Sequence, residues 1–372
     1  MALCTDPNKR PNVPVREGEE LFFNYAHGCW AFRQIPSYLK KRQKTGTNKK
    51  STGYGKNESL INAKKEKNDL FYTSLSDISK EMGHYHDFFK GKTVYCPCDK
   101  VFDKGHSMFI EYFISEFKYL GLKKVVFTQY NPNGLGSKLE FTSENTQNIT
   151  RGVDRYIDEN LKPMRGNGSI NSSECLEIMK ECDVVVTSPG GSKFLDFLDT
   201  LITYEKKFII LGDENQIPCK IVFEQIKNGK LWLGFEKPGK FRIPMDKYKD
   251  YKDQYIEDGV AYQKQGKKCW YTNIEHKKRL TLLELDEKYT PDKYARFDNY
   301  DAINVRKVKQ IPSDYKGVMG VPITFLENYN PTQFRIIKAS DVAYDSGRSS
   351  NIIRDTYGGN KTSYARICIQ QI

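Results

Sequence analysis

The stretch 183–197, Asp-Val-Val-Val-Thr-Ser-Pro-Gly-Gly-Ser-Lys-Phe-Leu-Asp-Phe, constrains this chain most. Asp183 opens a β-branched run that ends at Thr187. The run is too short and too branched for a helix, and it suits a buried parallel strand. Ser188-Pro189-Gly190-Gly191 breaks it, and an amphipathic helix is expected from Ser192 onward. A strand that leaves through a tight turn into a helix puts the turn at the carboxyl edge of a sheet. Open α/β folds bind ligands there.

The flanking sequence repeats that unit. A helix capped by Ser or Asp is expected over 76–89, and a strand over 92–96. Phe109, Tyr112, Phe113 and Phe117 recur at helical spacing within 107–120, and a strand follows over 124–128. These segments make one βαβ unit. Helices at 174–182, 192–203 and 221–227 alternate with strands at 183–187, 207–211 and 231–235. The pattern predicts a doubly wound, mostly parallel α/β sheet. Residues 131–172 read as polar and irregular. Helices are expected over 20–33 and 58–67, and strands over 269–274 and 280–285.

Three divisions follow: a basic, partly flexible extension over 1–58, a ligand-binding α/β domain over 59–235, and a C-terminal region over 236–372. Net charge is +12, and residues 1–67 hold 14 Lys/Arg against 6 Asp/Glu, so most of the excess lies at the start. The run Lys40-Lys41-Arg42 suits phosphate contacts. No stretch is apolar enough to span a membrane. The opening residues lack a signal-peptide apolar segment, so the nine cysteines are expected to be reduced thiols of a cytoplasmic protein. Cys96 and Cys98 have no second pair or histidine cluster nearby in sequence, which argues against a metal site. The absence of GxGxxG and of GxxxxGK[ST] argues against a dinucleotide or a triphosphate.

Several strings occur in a telling order. They are Cys96-Pro97-Cys98-Asp99, the 183–191 strand and turn, the run 206–212, Lys230-Leu231-Trp232-Leu233-Gly234, Trp270-Tyr271-Thr272-Asn273-Ile274, the run 298–303 and the run 317–326. Over roughly 59–372 this resembles the EcoRI-type adenine-specific DNA methyltransferase family. The resemblance implies a Rossmann-like methyltransferase fold with a C-terminal recognition region. It also implies S-adenosylmethionine as cofactor, double-stranded DNA as partner, and a place in a restriction-modification system.

By the resemblance, Phe71-Tyr72-Thr73 and Cys96-Pro97-Cys98-Asp99 would line the donor pocket, with Asn167 and Ser169 beside them. Ser188-Pro189-Gly190-Gly191 would hold an extruded adenine. Lys277-Lys278-Arg279, with Lys40-Lys41-Arg42, would contact DNA. The family's turn reads Asn-Pro-Pro-Phe, so three of four positions differ here. Relatives also carry an aspartate at the position of Ser169. Gly191 offers no ring for a base to stack on, where an aromatic face is worth about 1–3 kcal/mol. Two alternatives therefore stand beside the adenine enzyme: a catalytically impaired DNA-binding protein on the same scaffold, and amino methylation of cytosine or RNA.

Overall fold

The structure is a computed structural model. It describes residues 19–24, 29–34, 72–97, 106–145, 152–191, 193–243, 245, 248–264, 267–297, 300–339 and 366–372. The helix expected over 58–67, and Phe71, Cys98, Asp99 and Lys40-Lys41-Arg42, lie outside the described residues. The chain divides into two units, 1–55 with 341–350 and 56–340 with 351–372. In the first unit, β1 (Glu19–Asn24) pairs antiparallel with β2 (Cys29–Gln34), and Phe23 stands opposite Trp30. The helix expected over 20–33 is therefore a pair of strands. Aromatic residues favour the extended state, and Gly28 interrupts any helical run.

The second unit is built on an eight-stranded sheet of order β10-β14-β9-β8-β4-β5-β6-β7. At its centre β9 (Lys207–Asp213), β8 (Val184–Thr187), β4 (Thr93–Pro97) and β5 (Lys124–Gln129) run parallel. On one flank β14 (Lys268–Thr272) and β10 (Trp232–Leu233) are antiparallel additions. On the other flank β6 (Ser137–Thr142) and β7 (Lys162–Pro163) are also antiparallel. The sheet is thus mixed, with a parallel α/β core as expected. From β4 the chain moves outward through β5 to β7, then returns to β8 on the other side. The switch point lies between β4 and β8.

Alternation along these strands feeds two apolar layers. Val94, Cys96, Val184 and Val186 face the helices Leu75–Gly83 and Met108–Ser115, with Ile78, Phe109 and Phe113 among their neighbours. Tyr95 and Val185 face the opposite layer, with Phe194, Leu198 and Val222 from the helices Phe194–Thr203 and Lys220–Lys227. Burial on both faces explains why the strands read as continuous apolar runs. Each fully buried Val, Leu or Phe contributes about 1.5–3 kcal/mol of transfer free energy.

Some expectations change. The segment 131–172 holds β6, β7 and the helix Val153–Asn160. Within β6 only Leu139 and Phe141 are buried hydrophobics, too few to stand out in sequence. No strand covers 280–285. Residues Lys277–Leu280 form a helical turn, and the Leu283 N–H and carbonyl bond the Gln333 side chain instead of a ladder partner. Among the described residues no helix is long and apolar enough to cross a membrane.

Two further sheets complete the unit. One has the order β12-β13-β11-β3, from β12 (Gln254–Glu257), β13 (Val260–Lys264), β11 (Lys240–Arg242) and β3 (Tyr72–Thr73). The other has the order β15-β16-β18-β17, from β15 (Ile303–Asn304), β16 (Met319–Pro322), β18 (Arg366–Gln371) and β17 (Phe334–Ala339). Its Met319, Val321, Phe334 and Ile369 join the layer that holds Tyr95 and Val185. The strand β14 lies beyond residue 235, so the central sheet also draws on the C-terminal part of the chain.

Two carboxylates on the helix Leu75–Gly83 secure β3 and the loop after β10. Asp77 accepts from the Gly239 and Lys240 N–H groups at 3.0 and 3.2 Å. Glu81, fully buried, accepts from the Phe235 and Glu236 N–H groups at 3.0 and 2.7 Å and from the Tyr85 hydroxyl at 2.6 Å. His84 stacks on Phe235 with centroids 3.6 Å apart. His276 bonds the Leu233 carbonyl through Nε2 at 2.9 Å.

A Cβ on Gly234 would meet Glu81 Oε1 at 2.4 Å and Trp270 Cβ at 2.5 Å. Gly234→Ala is therefore expected to cost about 2 kcal/mol and lower the melting temperature by roughly 3 °C in a thermal scan. Burial holds the His276 imidazole below its ordinary 6.5, against the raising effect of the Leu233 carbonyl. The unfolded chain then takes up a proton near 6.5 that the folded chain refuses. Stability is lost as pH falls below that value, by at most about 1.4 kcal/mol per pH unit. Melting curves from pH 7 to pH 5 should show this slope flattened in His276→Gln.

Candidate active site

The switch point brings two expected segments together. β4 ends at Pro97 and its parallel neighbour β8 ends at Thr187, so both exits open on the same carboxyl edge. The Thr187 hydroxyl donates to the Pro97 carbonyl at 2.5 Å and ties the exits to each other. Pro97 is buried, and Cys96 is wholly inside the layer with Phe109 and Ile78. At the far end of the same strands, Asp183 accepts from the Thr93 N–H at 2.7 Å. Asp183 therefore aligns the start of the pair, away from the turn.

The turn has a defined geometry. Ser188 is half-buried, Pro189 buried and Gly191 exposed. Gly190 has φ +69°, a left-handed conformation that proline cannot reach and other L-residues adopt at a cost. The Lys193 N–H bonds the Gly190 carbonyl at 3.2 Å, and Gln216 Nε2 donates to the Gly191 carbonyl at 3.2 Å. Gln216 belongs to a capping box with Asp213 at the end of β9. A Cβ on Gly191 would lie 2.9 Å from Asp213 Oδ2. Asp213 Oδ1 pairs with Lys268 Nζ at 3.0 Å.

Asn167 and Ser169 sit beside the exit of β5. The Asn131 N–H bonds the Asn167 carbonyl at 2.9 Å, and the Gly136 N–H bonds the Gly166 carbonyl at 2.8 Å. The Asn167 side chain accepts from the Ser169 N–H at 3.0 Å. Gly168, at φ +72°, lets this loop close on β5, because a Cβ there would strike the Gln129 carbonyl at 2.4 Å. Tyr130 follows β5 and is exposed, and Lys193 Nζ lies 5.0 Å from its ring centroid. This cation–ring contact spans from the β5 exit to the turn. The sequence signal was an aromatic placed directly between a strand and Asn-Pro.

β3 reaches the site through β11. Thr73 stands opposite Phe241, and Lys268 Nζ lies 5.8 Å from the Phe241 ring centroid while it pairs with Asp213. The buried Thr73 Oγ1 has no hydrogen-bond partner among the described residues. Of the basic run, Lys277 is exposed. Lys278 donates to the Phe235 carbonyl at 2.8 Å. Arg279 stacks 3.9 Å from the Trp232 ring centroid and pairs with Glu275. The last two side chains are thus engaged inside the protein.

The turn predicts its own sensitivity. Gly190→Ala should destabilise the protein by about 1–2 kcal/mol through the left-handed backbone. Gly190→Pro should cost more, because its φ cannot be met at all. Denaturant titration of both variants checks the order.

The chain is 40% identical over 299 residues to the Type II methyltransferase M.EcoRI of Escherichia coli, covering 76% of this chain and 89% of that protein. It is 34% identical over 327 residues to the Type II methyltransferase M.MpnI of Mycoplasma pneumoniae, covering 83% and 97%. No solved structure gives a significant match. A family model described as adenine-specific methyltransferase EcoRI matches residues 59–371, and the chain belongs to that family.

Proposed function

We propose that this protein methylates the exocyclic amine of adenine in a specific sequence of double-stranded DNA, using S-adenosylmethionine, as the modification half of a Type II restriction system in the cytoplasm. The observation that carries this reading is the Thr187–Pro97 bond, which joins the exits of β4 and β8 at one carboxyl edge in a chain of this family. Two features fit a nucleoside-bearing ligand. The buried Thr73 hydroxyl has no hydrogen-bond partner among the described residues, and Gly168 brings the 166–169 loop close to the exit of β5.

When bound, S-adenosylmethionine supplies an electrophilic methyl group on a positively charged sulfur. Tyr72 and Thr73 on β3, Pro97, and Asn167 and Ser169 are assigned to hold it, with Phe71, Cys98 and Asp99. A base within a duplex cannot present its amine, so the target must be extruded. The Ser188 hydroxyl and the Pro189 carbonyl are assigned to accept the amine's hydrogens, which turns its lone pair toward the donor. The remaining contribution is positioning. Residues 236–372 are assigned to read the DNA as well as to complete the sheet, with Lys277, Lys278 and Arg279 near the duplex. Lys40, Lys41 and Arg42 are assigned to phosphates.

A second reading is favoured by the glycines of the turn. Gly190 and Gly191 supply neither stiffness nor a stacking face, as befits a DNA-binding protein without catalysis. Calorimetry with S-adenosylmethionine, followed by transfer of a labelled methyl group to unmethylated DNA and nucleoside analysis, separates the readings. The expected results are binding and N6-methyladenine. Binding of DNA without any methyl transfer would favour the second reading. Methylated cytosine would move the substrate to the other amine. Ser188→Ala should lower kcat by about 10- to 100-fold, as expected for a lost hydrogen bond of about 1.5–3 kcal/mol.

A further inference from the structure

The space above Gly191 is not empty. Its nearest occupant is a carboxylate oxygen, Asp213 Oδ2, which stands 2.9 Å from where a Cβ would be. Any side chain at 191 would displace it. The bare turn therefore brings an anionic acceptor to the edge where Ser188 sits. Asp213 is the last residue of β9, and β9 is the parallel neighbour of β8.

Asp213 is held firmly. Its N–H donates to Gln216 Oε1 at 2.8 Å, and its carbonyl accepts from the Tyr271 hydroxyl at 2.8 Å. Its carboxylate caps the short helix Glu214–Gln216 and pairs with Lys268 through Oδ1. The side chain is nevertheless 33% exposed, so it can be reached from the edge. Lys268 Nζ holds the other oxygen, Oδ1, at 3.0 Å, which leaves Oδ2 toward Gly191. An amine that must orient its lone pair presents two N–H donors; the turn offers it two neutral acceptors, the Ser188 hydroxyl and the Pro189 carbonyl, and a carboxylate accepts more strongly than either.

We propose that the Asp213 carboxylate is an additional hydrogen-bond acceptor for the target amine, acting from the end of β9 beside Gly191. The assignment rests on the methyltransferase reading above. It gives the Gly191 position a purpose: absence of a side chain there leaves the carboxylate in place. A structural role alone, as a helix cap, would be filled equally well by serine or asparagine.

The test uses the full chain and two variants. Asp213→Ser keeps a capping oxygen but withdraws the acceptor from the turn. Asp213→Asn keeps an acceptor of the same length. The Ser variant is expected to lose about 10- to 100-fold in kcat/KM for DNA, with heat of S-adenosylmethionine binding unchanged. The Asn variant should stay within about threefold of wild type. A readout apart from turnover uses DNA whose target adenine, located by sequencing the methylated product, is replaced by purine, which lacks the amine. Wild type should bind the adenine duplex more tightly than the purine duplex, and the Ser variant should lose that preference. A Ser variant with wild-type kcat/KM and wild-type discrimination would overturn the assignment alone. A wild-type chain that transfers no methyl group would overturn the methyltransferase reading, and this assignment with it.

Discussion

The parallel pairing of β4 with β8 is the constraint on which the rest depends. These strands are adjacent in space but 90 residues apart in sequence, and the chain departs from them in opposite directions. A crevice at their carboxyl ends follows from that connectivity. Neither end of the pair is left to chance. Asp183 aligns the entry through the Thr93 N–H, and Thr187 aligns the exit through the Pro97 carbonyl. Both closures are hydrogen bonds from residues that flank or belong to the same four-residue strand, so a slip in register would break both at once.

The second contribution is electrostatic. Asp77 and Glu81 stand one helical turn apart and between them accept four backbone N–H groups of the segment 235–240. A loop that crosses a sheet edge carries donors that cannot all reach water, and a charged acceptor for each contributes about 1.5–3 kcal/mol. Burial pushes the Glu81 carboxyl above its ordinary range, and the Tyr85 hydroxyl and the two N–H groups oppose that shift. The helix Leu75–Gly83 is thereby locked to the loop, and β3 with its Thr73 hydroxyl is held at a fixed place.

Much of the α/β core was legible because its strands are buried on both faces. Val184 to Val186, Phe208 to Leu211 and Val125 to Phe127 are unbroken apolar runs, and each precedes a turn. The turn at 188–191 was legible for the same reason. Other elements were hidden by weak or ambiguous patterns. β6 has two buried apolar residues in six positions, and the leucines at 280, 282, 283 and 285 suggest a strand, but the Leu283 backbone meets a glutamine side chain. Asp77 and Glu81 look like the solvated face of an amphipathic helix, because their partners are backbone groups that no sequence pattern displays. Lys278 and Arg279 read as nucleic-acid contacts, yet the Phe235 carbonyl and the Trp232 ring engage them. Asp213 is polar at a strand end, and only the bare position at 191 gives that location a meaning.

The left-handed backbone at Gly190 also bears on how such a turn arises by mutation. A proline at 190 is excluded while the left-handed bend persists, and a ring at 191 is blocked while the Asp213 carboxylate stays where it is. Positions 190, 191 and 213 therefore form a coupled set, whose substitutions are non-additive. A ring grafted at 191 thus calls for a compensating move of Asp213, and a proline at 190 for a different bend.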